Sequence, residues 1–535
     1  MVKPMRRHVA LLAALAFLHT GGSCGGGSGG GGSPPVTTVE KPPDERCLAL
    51  PSQFPAGFDF ATGAPGRGLA ASFNPGVVVP VDVESVPPRA VASGPLVDLR
   101  GAIAQDACGG FLDPAFDGVV SVASDLALVT ASSCEAVAFV DPASGALREF
   151  SVSTPASAAA TAWPFSPAPG ASGLRVAIPT RTCVTVPVGT LDSRGAPVAP
   201  DATGRCEPSQ PSYFSSFTSG AAVSSGALFV SVSNIGANPG RPDTQFLPGA
   251  VLVFDFDPSA TPPRIAPSAT GAVLFTSGFN PTQVTSYRSP GGRDFVLVTV
   301  SGALGLAPDD PATPEREAGG QPLTNAAIDV IDATARRVVA SIPLGLAAPS
   351  FDRLAIDPTG RIAIVGSAVA RRLYAVDLAP LDTLVLAAGA APLVLDGSSG
   401  PDAVIYDAAA PLELPALPNG APAATCPGYV VGADFDATGT RVFASDFCDG
   451  TLAIVGVDVS GNPPVPVPAV PERFRVLQSL PITAPLTTAS LGLSRAPGAV
   501  RVRPGRPGVD YHGPDVLFLV SLPEGQLCGV RVDSR

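Results

Sequence analysis

Short apolar runs that close on an aspartate recur along this chain. Six segments have the same form, an alternating apolar stretch followed by Asp and a turn: 135–141, 251–257, 326–332, 372–377, 452–458 and 527–533. Alternation with a period of two is typical of β-strands and not of amphipathic helices. A strand unit copied many times along one chain predicts sheets set side by side around an axis, which is the architecture of a β-propeller.

Seven copies of the unit can be followed through the sequence. They cover residues 119–141, 159–188, 220–257, 282–332, 352–388, 430–458 and 499–533. We therefore predict an all-β fold, a seven-bladed β-propeller of four-stranded antiparallel blades. Six or eight blades are alternatives, because residues 48–117 carry no clear copy.

The last unit supplies only three strands, so its blade needs a fourth strand from elsewhere in the chain. We expect the N-terminal region to donate it, through Val77–Val83 or Arg89–Leu99. An N-terminal strand placed there closes the ring and removes its free edges.

The N-terminus has the form of an export signal. Basic residues precede the apolar run Val9–Leu18, which is too short to cross a bilayer. Cys24 follows small residues, and the nearly pure glycine tract Gly25–Ser33 comes next. This arrangement resembles the signal of bacterial lipoproteins, in which the cysteine is acylated and becomes the mature N-terminus. The resemblance implies a signal peptide at residues 1–23 and a lipid on Cys24.

The rest of the chain divides by composition. A flexible Gly/Ser/Pro tether is predicted at 24–46, because Gly/Ser-rich chains are flexible coils, and a single β-propeller domain at 47–535. The lipoprotein resemblance implies a bacterial cell envelope protein on the outer membrane, facing the periplasm or the surface. Secretion is the alternative, because Gly21 stands where lipoprotein signals usually carry an aliphatic residue.

Cysteine usage agrees with export. The chain has nine cysteines, and setting Cys24 aside for lipid leaves an even number suited to disulfides in an oxidising compartment. A cysteine just before the first strand of a unit and one at the end of its second strand would adjoin on one rim. The predicted pairs are Cys108 with Cys134, Cys183 with Cys206, Cys426 with Cys448, and Cys47 with Cys528 across the two chain ends.

The charge of the chain limits its partners. The net charge is -12 and the pI about 4.8, whereas nucleic acid and anionic lipid surfaces require a basic footprint. Past the signal the sequence has no apolar stretch of eighteen residues, so we expect membrane contact through the lipid anchor only. We expect a monomer that binds no nucleic acid.

Catalytic motifs are scarce in the sequence. Of the three histidines, two lie in the signal and only His512 remains, so a Ser-His-Asp or Cys-His device would have to use it. His512 is expected in the loop that joins the first two strands of the last unit. A loop histidine without catalytic duty is the favoured interpretation, and no catalytic residue is predicted.

The aspartates that end the repeated runs could be drawn as a ring of metal ligands. The six are Asp141, Asp257, Asp332, Asp377, Asp458 and Asp533. Each precedes a turn, where an Asp side chain accepts hydrogen bonds from backbone amides two residues further on. Turn capping is therefore the favoured role.

Three long loops are expected on one face of the propeller, where the loops between second and third strands and those between blades open. They are Asn234–Pro248, Gly302–Asn325 and Asp396–Pro427. Loops of this length tend to be functional or disordered. The middle loop holds four candidate oxygen ligands for Ca²⁺, namely Asp309, Asp310, Glu315 and Glu317. A solvated acidic loop is the favoured alternative, and no other cofactor is predicted.

Two stretches preserve the order of turn and strand best. Asp357-Pro-Thr-Gly360 leads into Ile362–Val365, and Asp332-Ala-Thr leads into Val338–Gly345. These motifs resemble the YVTN family of β-propeller repeats, although the tetrapeptide that names the family is absent. The resemblance implies a propeller over about residues 118–533. It also implies relatives among exported surface proteins, lipoproteins, lactone-hydrolysing enzymes and quinone-dependent dehydrogenases, between which fold alone cannot choose.

Two functions follow as hypotheses. The favoured one is a binding or scaffold module without enzymatic activity, which presents a loop-rich face to a protein, a glycan or a small ligand. The alternative is a lactonase-like or other metal-assisted hydrolase with its site at the mouth of the central channel. An enzyme needs several acidic or basic side chains converging on the axis, whereas the first strands are dominated by Ala, Val, Ser and Leu.

Overall fold

The computed structural model describes strands and turns between residues 47 and 532. The described residues are 47–50, 54–73, 77–83, 89–90, 97–98, 114–132, 134–153, 174–201, 204, 206–235, 245–268, 270, 272–305, 321–322, 324–345, 349, 352–367, 372–395, 411–413, 430–446, 450–457, 474–481, 496–502, 515–522 and 525–532. Within these ranges, no helix is long and apolar enough to cross a membrane.

The first part of the chain contributes strands up to residue 288. They are β1 (Cys47–Ala49), β2 (Phe54–Ala61), β3 (Ala64–Phe73), β4 (Val77–Asp82), β5 (Arg89–Ala90), β6 (Val97–Asp98), β7 (Pro114–Ala123), β8 (Leu126–Ala131), β9 (Ala136–Val140), β10 (Phe150–Val152), β11 (Leu174–Arg175), β12 (Ala177–Pro179), β13 (Cys183–Thr185), β14 (Ser212–Phe214), β15 (Thr218–Ser224), β16 (Ala227–Val232), β17 (Pro248–Asp257), β18 (Arg264–Pro267), β19 (Val273–Phe279) and β20 (Pro281–Arg288).

The second part contributes the remaining strands and one short 3-10 helix, Ala379–Asp382. The strands are β21 (Asp294–Val300), β22 (Leu304–Gly305), β23 (Gln321–Pro322), β24 (Ala326–Asp332), β25 (Arg337–Gly345), β26 (Ala355–Ile356), β27 (Ile362–Gly366), β28 (Arg372–Asp377), β29 (Leu393–Val394), β30 (Pro411–Glu413), β31 (Val430–Phe435), β32 (Arg441–Asp446), β33 (Thr451–Val457), β34 (Phe474–Pro481), β35 (Ala496–Val502), β36 (Asp515–Leu522) and β37 (Gln526–Val532).

In the described part of the chain, seven sheets have four or more strands, and we number them in chain order. Sheet 1 contains β2 to β6, and sheet 2 contains β7, β8, β9 and β12. Sheet 3 contains β15 to β19 with β10 and β11, and sheet 4 contains β20, β21, β24, β25 and β29. Sheet 5 contains β26, β27, β28 and β30, sheet 6 contains β31 to β34, and sheet 7 contains β35, β36, β37 and β1.

The second strands of these sheets are apolar on both faces. All six residues of β8 and all six of β16 are buried, because a neighbouring sheet covers each face of the sheet they belong to. Apolar clusters accordingly run from one sheet into the next, and the largest joins sheets 4, 5 and 6.

The innermost strands of neighbouring sheets contact one another in chain order. In sheets 1 to 4 the contacts run from β2 to β7, from β7 to β15 and from β15 to β20. In sheets 5 to 7 they run from β26 to β31 and from β31 to β35, and β35 also contacts β2 of sheet 1. Sheets 4 and 5 meet where the Leu354 N–H donates to Thr285 Oγ1 at 3.2 Å. The chain is therefore an all-β propeller whose innermost strands are β2, β7, β15, β20, β26, β31 and β35.

The N-terminal strand lies beside the C-terminal one. β1 pairs antiparallel with β37, with Cys47 opposite Cys528, and a disulfide joins these two residues. The donors suggested by the sequence are wrong, because Val77–Val83 contains β4, and Arg89–Leu99 contains β5 and β6, all in sheet 1. The strand that does pair with β37 has only three residues, too few to show an alternating pattern.

Another expected unit is also wrong. Residues 159–188 form no sheet of their own in the described part of the chain: β11 pairs with β10, β12 is the fourth strand of sheet 2, and β13 pairs with β14. The sheet that the seven copies missed is sheet 1. Its outer strands β5 and β6 have two residues each, which explains why residues 48–117 carried no readable copy.

The other cysteines are described in part. A disulfide joins Cys183 to Cys206, and Cys134 is disulfide-bonded. Its expected partner Cys108, the pair Cys426 and Cys448, and Cys24 lie outside the described residues. Disulfides persist in oxidising compartments, so these bonds suggest an extracellular type of environment.

The turn-capping role of the aspartates that end the repeated apolar runs is confirmed for the four that the structure describes. In each, Oδ1 accepts the backbone N–H two residues on, at 2.8 to 3.1 Å: Asp141, Asp257, Asp332 and Asp377. Asp458 and Asp533 lie outside the described residues. The Asp-x-x-Gly turns at Asp357 and Asp436 also close with a backbone hydrogen bond, and φ is positive at both glycines.

The long loops are more structured than expected. Gly302–Asn325 begins and ends in a two-stranded ribbon of β22 and β23. Asp396–Pro427 contains β30, the fourth strand of sheet 5, so it is not a single loop between two sheets. The sequence did not reveal this strand because β30 has only three residues, too few to show alternation.

Candidate functional site: a charged cavity on the inner strands

A cavity of about 400 Å³ lies among the inner strands of four sheets. Its walls come from β2 and the turn after it, from the segment that enters β26, and from the last residues of β31 and β35. Four charged side chains line it, Asp59, Arg353, Asp434 and Arg501, alongside apolar groups that include Phe60 and Ile356. A cavity of this size with a few polar groups on apolar walls is typical of small-molecule sites.

A buried ion pair forms one wall. The Arg501 guanidinium donates to Asp352 in a bidentate arrangement, Nη2 to Oδ1 at 2.7 Å and Nη1 to Oδ2 at 3.0 Å. Only 6% of the Arg501 side chain and 3% of the Asp352 side chain are exposed. Arg501 lies in sheet 7 and Asp352 enters sheet 5, so the pair bridges two sheets that sheet 6 separates.

A second ion pair reaches further across the centre. Arg353 Nη2 lies 2.8 Å from Asp59 Oδ1, and Nη1 lies 3.2 Å from Oδ2. The pair joins the segment entering sheet 5 to β2 of sheet 1, and it is more open to solvent than the Asp352–Arg501 pair. Together the two pairs tie sheets 1, 5 and 7 to one another at the axis.

Asp59 and Asp434 are held in the same way by the repeat. Oδ1 of each accepts the N–H of the following phenylalanine, at 3.0 Å from Phe60 and 2.9 Å from Phe435. Oδ2 of each accepts a backbone N–H from the inner strand of the next sheet, Ser121 at 2.9 Å and Val502 at 2.8 Å. Each carboxylate therefore fastens two neighbouring sheets.

Asp434 differs from Asp59 in its charge environment. In the described part of the chain, its carboxylate is held by the two backbone N–H groups and forms no ion pair. Burial raises the pKa of Asp434 to about 6, against the smaller opposite effects of the Arg501 charge, the Val502 N–H and the Arg353 charge. A carboxyl group that is mostly ionised at neutral pH and takes up a proton near pH 6 therefore faces the cavity.

The cavity is not where the sequence placed a binding face. Each inner strand runs toward the turn that leads to its second strand, and the cavity lies near these turns. The loops Asn234–Pro248 and Gly302–Asn325 follow second strands, which run antiparallel to the first, so these loops leave the opposite end of their sheets.

The predicted sites do not meet in this cavity. Asp309, Asp310, Glu315, Glu317 and His512 lie outside the described residues. Among the residues that the structure does describe, no group of three His, Cys, Asp or Glu side chains could hold a metal ion. Calcium binding by the acidic loop stays a prediction.

Sequence reasoning missed every charged residue of the cavity, although a weak signal was present. Phe58-Asp59-Phe60 and Ala433-Asp434-Phe435 place an acid between apolar residues in an inner strand. Buried acids need partners, and Asp352-Arg353 is a conspicuous charged pair ahead of a buried strand. Which aspartate pairs with which arginine depends on how the sheets pack against one another, so only the three-dimensional structure could show it.

Comparisons with known proteins give distant likenesses. No family model matches the chain, and no curated protein matches its sequence. Hydrazine synthase of Kuenenia stuttgartiensis aligns with a TM-score of 0.46 at 11% identity, over 91% of this chain and 97% of that chain. The Cps50 (Swd1) β-propeller domain of Myceliophteria thermophila has a TM-score of 0.43 at 11% identity, over 91% and 98%. Sqt1 of Saccharomyces cerevisiae has a TM-score of 0.42 at 7% identity, over 91% and 98%.

Proposed function

We propose that this protein is an exported, membrane-tethered binding module built on a seven-bladed ring that the N-terminal strand closes. The seven sheets are its blades, and β1 with the Cys47–Cys528 disulfide fastens the last blade. Small ligands enter the charged cavity on the inner strands. The loop-rich face at the other end serves a protein or glycan partner in the same proposal.

The observation that carries the proposal is the convergence of charged side chains from four sheets on one cavity. Two ion pairs cross the centre and fix their arginines in place. A ligand that enters meets groups whose positions are already set, so little ordering cost accompanies its binding. A buried ion pair often stabilises a fold no more than apolar residues of similar volume would, so holding the sheets together does not by itself explain these charges.

A second candidate function is a hydrolase with its site in the same cavity. The convergence of acids and arginines on the axis is the feature that an enzyme requires, and the raised pKa of Asp434 suits a general acid or base. However, two of the three carboxylates are held in ion pairs, and the described residues offer no metal-binding group for a metal-assisted reaction. Binding is therefore the better-supported function.

Blocking the cavity tests the proposal. Thr62 is an exposed turn residue at the cavity wall, so Thr62→Trp should fill the entrance without disturbing the core. Ala143 is an exposed turn residue in sheet 2 that does not line the cavity, and Ala143→Trp is the matched control. Fragments that bind the full chain in ligand-observed NMR should lose binding to Thr62→Trp and keep it with Ala143→Trp. Fragments that bind both variants equally would place the ligand site elsewhere.

A further inference from the structure

Among the described residues, the charges around the cavity do not balance. Three carboxylates, Asp59, Asp352 and Asp434, face two guanidinium groups, those of Arg353 and Arg501. Because each arginine forms a close ion pair, the excess negative charge resides on Asp434. The described part of the chain supplies no cation at ion-pair distance from this carboxylate.

The surroundings of Asp434 make an external cation favourable. Its carboxylate oxygens accept two backbone N–H groups, yet they retain further acceptor positions, since a carboxylate accepts about four hydrogen bonds. Burial strips water from the charged form. A cation beside it would replace that lost hydration and form a charge-assisted hydrogen bond.

The rest of the wall selects the kind of cation. The cavity volume of about 400 Å³ admits an organic molecule. Phe60, Leu354, Ile356 and Val502 supply apolar surface for an alkyl chain. A divalent metal finds only one unpaired carboxylate among the described residues of the cavity, and hard metal ions require several oxygen ligands.

We propose that the cavity binds a small organic cation, of the alkylammonium class, whose charged nitrogen pairs with Asp434 while its alkyl chain lies on the apolar wall. This inference rests on the proposed function, because it assumes that the cavity is a ligand site. The Asp59–Arg353 pair lies along the same cavity and supplies acceptors and donors for a polar group at the far end of the ligand.

Protons compete with such a ligand. Among the described residues, Arg501 of β35 and Arg353 ahead of β26 act on Asp434, and their ion-pair partners Asp352 and Asp59 lie beside them. With a pKa of about 6, Asp434 is almost fully ionised at pH 7.5 and mostly protonated at pH 5. Since only the ionised form attracts a cation, affinity should fall by about tenfold between these two pH values.

Calorimetric titration of the full chain with n-butylamine, butan-1-ol and butyrate tests the ligand class. Butylamine should bind at pH 7.5, with the alcohol and the carboxylate at least about tenfold weaker. Asp434→Asn keeps the side-chain shape and should weaken butylamine at least about tenfold. The exposed-pair variant Asp125→Asn is the matched control and should leave the affinity unchanged.

The outcomes separate the two proposals. If the alcohol or butyrate binds as tightly as the amine, and Thr62→Trp blocks it, the cavity is a ligand site but the cation inference is wrong. If Thr62→Trp blocks no probe, the proposed function itself fails. The pH titration of the unmodified chain needs no variant, so an amine affinity that stays constant from pH 7.5 to pH 5 overturns the inference even where Asp434→Asn does not fold.

Discussion

Asp59 in sheet 1 and Asp434 in sheet 6 occupy the same place in two copies of one repeat, yet they have different electrostatic surroundings. Each accepts the N–H of the following phenylalanine and an N–H from the next inner strand. Only Asp59 also has an arginine at ion-pair distance in the described part of the chain. The repeat therefore sets where the carboxylates lie, and the arginines within reach of each one set its charge balance.

The arginines around the cavity come from two different sheets. Arg353 precedes β26, and Arg501 lies at the end of β35. Each arginine reaches an aspartate of another sheet, Arg353 to Asp59 in sheet 1 and Arg501 to Asp352 ahead of sheet 5. The charged cavity thus arises where these two sheets differ from the others.

Removing the most buried partner gives the largest expected effect. Asp352→Asn leaves the Arg501 guanidinium buried without its counter-charge, so the free energy of unfolding should fall by about 3 to 5 kcal/mol. Urea denaturation followed by far-UV circular dichroism measures it. The control is Asp125→Asn, whose pair with Arg148 is exposed and should contribute less than about 1 kcal/mol. Equal losses in the two variants would mean that the inner pair does not anchor the propeller.

Much of the fold could be predicted from the sequence because its strands are long enough to show alternation. The propeller and the capping role of Asp141, Asp257, Asp332 and Asp377 follow from runs of five to ten residues. The strands that escaped, β1, β5, β6 and β30, have two or three residues. Such short strands form because they pair with the edge of a neighbouring strand, and the local sequence pattern does not show this pairing.

The candidate site could not be predicted for a related reason. Asp59 and Arg353 are 294 residues apart in sequence, and Asp352 and Arg501 are 149 apart. A single acid in an apolar strand looks like a solvated or capping residue until the opposite strand is known. Its partner is determined by the order and packing of the sheets, which is a property of the whole fold.

Asp434, which has no arginine at ion-pair distance among the described residues, should make the free energy of unfolding depend on pH. The folded-state pKa of Asp434 is about 6, above the value near 3.9 in unfolded chains. The stability contributed by the protonated carboxyl is therefore present below about pH 4 and is lost as pH rises through about 6. Relative to Asp434→Asn, which cannot titrate, the free energy of unfolding should fall by about 2 kcal/mol from pH 4 to pH 7. Denaturant midpoints of both proteins across that range measure it, and parallel curves would contradict the assignment.

Replacing Asp59, which is paired with Arg353, should change the free energy of unfolding less. Asp59→Asn keeps an oxygen for the Ser121 N–H but removes the charge opposite Arg353, and this pair is partly open to solvent, with 15% of the Asp59 side chain exposed. We expect a loss of about 1 kcal/mol in the free energy of unfolding. A double-mutant cycle with Arg353→Met isolates the pair, and its coupling energy should be well below that of Asp352 with Arg501. A coupling as large as that of the buried pair would show that Asp59 and Arg353 are part of the ring's framework, and only Asp434 would then remain free to serve a ligand.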